Sequence, residues 1–490
     1  MINKDMYDSK LKKNTLYNAI KIGITLVFPL ITFMYISRIL HAENVGKINF
    51  GNSVISYISL IATLGVQTYA IRECSKVRDD REALERTAGE IFSINLLSTI
   101  LAYLILILLL IFAKPLANYR LLICIQSVTV LCTTLGADWI NTVFEDFRYI
   151  TIRTLVIQLV SLVLMFIFVK DESDYLIYAS IAVFASSGGY IFNIIYRERF
   201  CKIRFRIRMN AKQHMQPIVM LFSLILAQKI YVNSDLTIIG LFRGDKEVGL
   251  YTAATNIYFI TNMVVASVST IVLPSLSRAF KTHNYEEVNK NIRFAVGFII
   301  MLGVPAVIMI LTLAEHIIGA ISGKEYVEAA GTLRILVLAL IMSFVGGVIG
   351  NLTMIPAGRE RVCLNSTVLS AISNVVLNIL FVGRYGMIIA GVTTFISELI
   401  NVVYLFPKID KKIKVDNILL LIKGPITGGF FMVIICLLCR NIMQNSYLIF
   451  LISFLVSFFI YALTLYMNRN EIFMSFVGDK IEKYIRRKVQ

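Results

Sequence analysis

The stretch LILAQKIYVNSDLTIIG, Leu224 to Gly240, carries Lys229, Asn233 and Asp235 inside an otherwise apolar run. A charge near the centre of a bilayer costs at least about 2.5–3.5 kcal/mol on insertion scales. Groups kept at that cost face a hydrated cavity or pair with one another. Lys229 lies about 18 Å of helix rise from residue 217, too deep for its ammonium to snorkel back to the interface. A cavity-facing cation is therefore expected, with an internal ion pair as the alternative. Asp235 follows six residues on, so it does not share the Lys229 face as an i,i+4 partner would.

Other ionisable residues punctuate apolar runs in the same way. Lys21 sits about a turn inside the first run, facing a cavity or snorkelling to the near interface. Glu398, in FISELINVV, lies near the middle of a run, where an unpaired carboxylate is costly. It is expected to pair with a cation or to carry a coupling ion. Asp138 and Arg334 also fall within runs. Asn18, Asn52, Gln228 and Asn256 stud the same runs. They suit either a polar ligand or hydrogen bonds between helices. Pro29 and Pro305 each remove a backbone hydrogen bond inside a run, which makes Pro29 a candidate hinge.

The elements that must position these groups are membrane spans. Apolar residues make up 57% of the 490-residue chain and charged residues only 16%, where soluble chains carry about 25% charged. The mean hydropathy is +0.74. Fourteen apolar runs qualify as spanning helices, near 14–37, 46–71, 88–113, 116–143, 149–169, 174–196, 217–242, 248–277, 291–313, 327–356, 362–383, 386–406, 416–439 and 444–467. Helix is required because a lipid-exposed segment must satisfy its own backbone. The first run lacks a small-residue cleavage site after it and reads as a retained span.

The net charge of +17 raises the question of nucleic acid. Its distribution answers it. Of the 48 Lys and Arg residues, 34 fall on the N-terminal side of the fourteen-span map, 10 on the other side and 4 within spans. That asymmetry puts both termini in the cytoplasm and accounts for the basic balance with no nucleic-acid partner. The seven cysteines are scattered, mostly in apolar runs, and the four histidines lie far apart. No metal set and no catalytic constellation follows from them.

The longest loop, Arg197 to Gln216, alternates Lys202, Arg204, Arg206 and Arg208 with Ile203, Phe205 and Ile207. It serves as a topology anchor and linker, or rests on anionic head groups of membrane lipids. It divides the chain into spans 1–6 (residues 1–196), the basic linker (197–216), spans 7–12 (217–407) and spans 13–14 with a basic tail (408–490). Val45-Gly46 shifted by 203 residues lands on Val248-Gly249. With the equal span numbers this suggests two six-helix lobes of parallel topology, a common transporter plan. The expected fold is thus all-α and polytopic, with about fourteen transmembrane helices.

PLITFMYISRILHAENVGKINFGNSV and LGVQTYAIRECSKVRDD resemble the opening of the polysaccharide transport family, whose members are flippases for lipid-linked oligosaccharides such as O-antigen units. The family lies within the multidrug/oligosaccharidyl-lipid/polysaccharide (MOP) exporter superfamily. Pro29, Arg38, Leu40, Gly46, Gly65, Arg72 and Glu73 carry the resemblance, with Asp235, Gly240, Val248 to Tyr251 and Leu273-Pro274 in the second half. It implies two six-helix lobes around a central cavity, with two further helices alongside. The cargo it implies is an oligosaccharide on a polyprenyl diphosphate, moved between leaflets of a bacterial inner membrane by alternating access. The chain departs from the lipid II branch in lacking its denser set of intramembrane arginines.

A diphosphate needs cations in water-filled space, and sugars need amides and hydroxyls. On this resemblance Lys229 and Lys21 would meet the diphosphate, with Asn18, Asn52, Gln228 and Asn256 on the substrate. Arg38 would belong to an outer gate, meeting Glu43 or Asp235, or stand as a plain interfacial arginine, and Asp235 would cap that gate or contact a charge in the other lobe. Arg72 and Glu73 would form an inner gate, unless they only fix topology. No cofactor is expected; Glu398 would either pair with a cation or carry a proton in coupling to a proton or sodium gradient. Polysaccharide polymerase machinery is an expected partner. A drug/cation antiporter of the same superfamily is the second reading; its site would favour carboxylates over cations. A membrane polymerase or ligase is the third, and it would call for a large outer loop that this chain lacks.

Overall fold

The computed structural model describes residues 4–206 and 211–475. The chain folds into two compact units, Met1–Gly249 and Leu250–Gln490. The first holds α1 (Lys4–Ile39), α2 (His41–Thr63), α3 (Val66–Lys76), α4 (Arg81–Phe112), α5 (Arg120–Gly136), α6 (Trp139–Val143), α7 (Phe147–Phe168), α8 (Tyr175–Tyr196) and α9 (Ala211–Arg243). α10 (Asp245–Lys281) carries the chain into the second. There follow α11 (Tyr285–Ile321), α12 (Ala330–Gly347), α13 (Glu360–Tyr385), α14 (Met387–Leu405), α15 (Ile418–Ile442) and α16 (Ser446–Met467). Among the described residues no strand occurs, and thirteen helical segments are long and apolar enough to cross a membrane. The described apolar part of α1, Gly23–Ile39, is shorter. With it, each of the fourteen expected spans corresponds to helix.

The helix starts follow from short polar side chains. Asp80 accepts from the amides of Glu82 (3.0 Å) and Ala83 (3.1 Å) at the start of α4. Asp146, Asn284 and Asn445 do the same for α7, α11 and α16. Each satisfies an amide that the first turn leaves without a partner. Beyond the caps the helices expose apolar side chains on their outer faces, among them Phe112 (75% exposed), Ile195 (77%) and Leu419 (78%). Such a surface suits hydrocarbon and not water.

Two expected spans are interrupted. Leu64 and Gly65 adopt left-handed backbone (φ 46° and 72°) and split the second span into α2 and α3. The carbonyl of Ala62, freed from its helix partner, accepts from Asn95 Nδ2 (2.7 Å) and Ser98 Oγ (2.6 Å) of α4. Ala137 (φ 45°) likewise ends α5. The fourth span is not one helix but α5, a sharp break, and the short α6.

Candidate functional site

The break after α5 positions a buried ion pair. Its last carbonyls are taken up from α8 and the residue beyond it. Asn193 Nδ2 donates to the Gly136 carbonyl (2.7 Å) and an Arg197 Nη donates to that of Leu135 (2.5 Å). Asn141 Nδ2 bridges Asn193 Oδ1 (2.6 Å) and Asp138 Oδ1 (3.0 Å). Asp138 is thereby fixed, and its carboxylate lies 2.9 Å from Arg153 Nη1 of α7. Arg153 is only 9% exposed. Its guanidinium stands over the rings of Tyr149 (5.3 Å) and Tyr190 (5.6 Å). A Cβ on Gly189 would press on its Nε at 2.8 Å, so the absence of a side chain there makes room for the arginine.

Arg153 and Asp138 form one wall of a cavity of about 420 Å³ inside the first unit, between α1, α7 and α8. α1 contributes Lys21, Thr25, Pro29 and Thr32; α7 adds Thr154 and Gln158; α8 adds Tyr178, Ser186 and Tyr190. Gln158 Oε1 is buried without a hydrogen-bond partner among the described residues. Lys21 and Arg153 against Asp138 leave the lining one positive charge in excess. A space of this size with an unpaired acceptor and surplus cation accommodates water and a small anionic or polar group.

The expected site residues divide around this cavity. Lys21 and Pro29 line it, and α1 runs unbroken through Pro29. The side chain of Asn18 lies outside the described residues. Lys229, Gln228 and Asn52 are exposed on α9 and α2 and do not line the cavity. Asn233 donates to the Lys229 carbonyl (3.1 Å), so that amide serves its own helix. Asp235 and Glu398 are each buried to 6% exposure, on α9 and α14. Asn256 is half-buried on α10. Arg38 is exposed and bonds the Met34 carbonyl, while Glu43 pairs with Lys47 (3.0 Å). Arg72 pairs with its neighbour Glu73 (2.9 Å), which also binds Lys76 (2.7 Å).

Arg153 was missed by sequence reasoning, which counts it among the connecting residues that set topology. The available signal was a pair of opposite charges, Asp138 and Arg153, at the adjoining ends of consecutive spans. Arg334 also gains a role. Its Nε donates to the Leu311 carbonyl (3.3 Å) and its Nη2 pairs with Glu315 (3.1 Å). Leu313 is the non-helical residue of α11 (φ −119°, ψ 19°), so Arg334 braces a kink that Pro305 does not mark.

The described part of the basic linker, up to Arg206, meets α4, while Ile207 and Arg208 lie outside the described residues. The Lys202 amide meets Glu85 (3.1 Å) and the Arg206 amide meets Ser93 Oγ (2.8 Å). His214 then inserts between Tyr69 Oη (2.7 Å) and Glu90 Oε2 (3.1 Å), fixing the start of α9 on α3 and α4.

A polytopic helical bundle that draws opposed charges and a polar cavity in among its spans has the plan of a membrane transporter. The chain belongs to the polysaccharide biosynthesis protein family, whose model matches residues 11–280. Residues 202–459 also match the model of the lipid II flippase MurJ. A putative O-antigen transporter of Escherichia coli K12 is 20% identical over 270 residues, 54% of this chain and 65% of that protein. The chain thus spans just under two thirds of that relative's length. The solved inward closed structure of lipid II flippase MurJ superposes with a TM-score of 0.72 at 16% identity, covering 94% of this chain and all of the other. An inward-facing multidrug resistance MATE transporter of the MOP superfamily gives 0.62 at 15% identity, covering 81% of this chain and 98% of that one. These likenesses fix the fold, and the families named are transporters. The polysaccharide family expected from the opening motifs is borne out by the match over residues 11–280.

Proposed function

We propose that this protein is a flippase carrying a polyprenyl-diphosphate-linked oligosaccharide, such as an O-antigen unit, across the bacterial inner membrane by alternating access. The observation that carries this reading is the family match over residues 11–280, more than half the chain. The balance of charges supports it. Lys21 and Arg153 exceed Asp138 in the cavity of the first unit, and Lys229 stands exposed at mid-helix on α9. A carrier of cationic drugs would favour the opposite excess. In the proposed cycle Lys229 and Lys21 meet the diphosphate, and Asn18, Asn52, Gln228 and Asn256 serve the sugars. Arg38, Asp235, Arg72 and Glu73 act at the gates, Pro29 as a hinge, and Glu398 in coupling to a proton or sodium gradient.

The test is surface glycan display in cells that lack their own flippase, supplied with a matched glycan pathway and this chain. Restored display at normal membrane level supports the reading. Absence of display in every matched background, together with export of a cationic dye, would replace it with the antiporter.

A further inference from the structure

A second cavity, of about 390 Å³, lies in the second unit. It forms where α10 turns into α11 and where the chain between Met354 and α13 passes the segment after α14. Its lining includes Lys281, Arg359 and Asp410, with His283 beside them. The turn into α13 closes with Gly358 at φ 71° and an Arg359 amide that donates to the Met354 carbonyl (2.9 Å). α13 itself starts with no side-chain cap on its first amides, although Glu360 sits in that turn.

The single carboxylate of the lining is already occupied. Asp410 Oδ2 accepts from Tyr285 Oη (3.0 Å) and Oδ1 accepts from the Lys412 amide (3.0 Å). Arg359 is held at the rim by donating to the Lys408 carbonyl (2.7 Å). Lys412 Nζ stands 4.9 Å from the centre of the Tyr285 ring. Lys281 is exposed and has no ion-pair or hydrogen-bond partner among the described residues. The cavity therefore presents cations in excess, with its own anion buffered by local donors. All of this lies at the helix ends whose connections carry most of the chain's Lys and Arg, the face expected to meet anionic lipid.

We propose that this cavity binds a phosphate-bearing lipid head group, held chiefly by Lys281 and Arg359. Arginine grips phosphate as a planar fork and lysine as a point charge, and the space exceeds what one phosphate fills. The inference stands apart from the flippase reading where the head group is that of bulk phospholipid, and rests on that reading where it is polyprenyl diphosphate. The phosphate could come from bulk anionic phospholipid or from a polyprenyl diphosphate.

The experiment titrates the purified full chain with phosphatidylglycerol and, separately, with polyprenyl diphosphate, reading the rise in unfolding temperature. Native protein, Lys281→Gln, Lys281→Gln/Arg359→Gln and, as a control, Lys324→Gln are compared; Lys324 is exposed in the connection from α11 to α12 and does not line the cavity. Lys281→Gln alters a side chain that holds nothing in place, so its folding is expected to be unchanged. The expected result is a tenfold or greater weakening of one probe by Lys281→Gln, with Lys324→Gln unaffected. Weakening of phosphatidylglycerol alone assigns the site to bulk lipid, and weakening of polyprenyl diphosphate alone assigns it to that lipid. Unchanged affinity for both probes, or equal weakening by Lys324→Gln, would overturn the proposal.

Discussion

Gly46 and Gly249 meet where the first turns of α2 and α10 cross, and the contact is reciprocal. A Cβ on Gly46 would overlap the carbonyl of Asp245, and a Cβ on Gly249 would overlap the carbonyl of Ala42. Each glycine faces the carbonyl four residues before the other, and both pairs are separated by 203 positions. The Val-Gly match between the two halves of the sequence thus marks a crossing of two backbones. A side chain cannot be accommodated there by rotamer change, because what it strikes is main chain. Gly46→Ala and Gly249→Ala are each expected to destabilise by about 1–3 kcal/mol or more. Gly331→Ala on α12, with nothing within 4 Å, is the control; helix propensity alone should make it neutral or stabilising by about 0.5–1 kcal/mol. Unfolding temperature in detergent separates the two cases.

Arg153 and Asp138 make a second, sharper prediction. Removing one partner of a buried pair strands the other charge and costs about 3–5 kcal/mol. Asp138→Asn and Arg153→Gln should each lower the folded yield strongly. The double variant should cost clearly less than the two added, because no bare charge remains. A double-mutant cycle on unfolding temperature measures the coupling. Strict additivity would show that the pair does not interact.

The helices were legible because hydropathy and basic-loop asymmetry are long-range, redundant signals, and each expected span has its helix. What was not legible depends on local backbone. Nothing in the run 116–143 announces that Ala137 turns left-handed, and so Asp138 read as one more ionisable span residue. Arg153 read as a topology charge because spacing along a sequence says nothing about which neighbouring helix it reaches. The kink of α11 shows the same gap. Proline is the visible cause of kinks, yet the break falls at Leu313, eight residues after Pro305, where Arg334 takes up a released carbonyl. Lys229 was visible from its cost alone, but which surface its helix turns toward is a tertiary fact.

Thiol chemistry offers a check on packing outside the spans. Burial pushes the Cys201 thiol up to about 11, so almost none of it is thiolate at neutral pH. It is fully buried against the core around Tyr69, Trp139 and Ile218. Cys124 is exposed. A maleimide at pH 7 should leave Cys201 unmodified in the folded protein and label it after denaturation. Mass spectrometry of the peptides reads this directly. Labelling of Cys201 in folded protein at the rate seen after denaturation would contradict the placement of the linker.

Asp410 sets a pH dependence whose sign is fixed. The Lys412 amide and then the Tyr285 hydroxyl hold its carboxyl below the usual carboxylate range. The depressed folded value means that its stabilisation is present above the unfolded value, near about 4. That stabilisation is lost as the pH falls through the lower folded value. Native protein should therefore be more stable than Asp410→Asn at pH 6, and the two should converge toward pH 3. Unfolding temperature across that range reads the difference. A gap that persists undiminished at pH 3 would place the effect in packing and not in ionisation.

Lys229 carries the most direct prediction for transport. Lys229 is exposed near the middle of α9, and Asn233 donates to its carbonyl; a charge at mid-span has a high insertion cost. A group held there for folding alone would be better replaced by an apolar one. Lys229→Leu should then raise stability while abolishing glycan display, and Lys229→Arg should keep a substantial fraction of display, because a guanidinium also binds phosphate. Lys229→Gln, which keeps polarity and loses charge, should fall with Lys229→Leu in display. Display is scored at matched membrane level in cells dependent on this chain. If Lys229→Gln displays as well as the native chain, the charge of Lys229 has no part in handling the cargo.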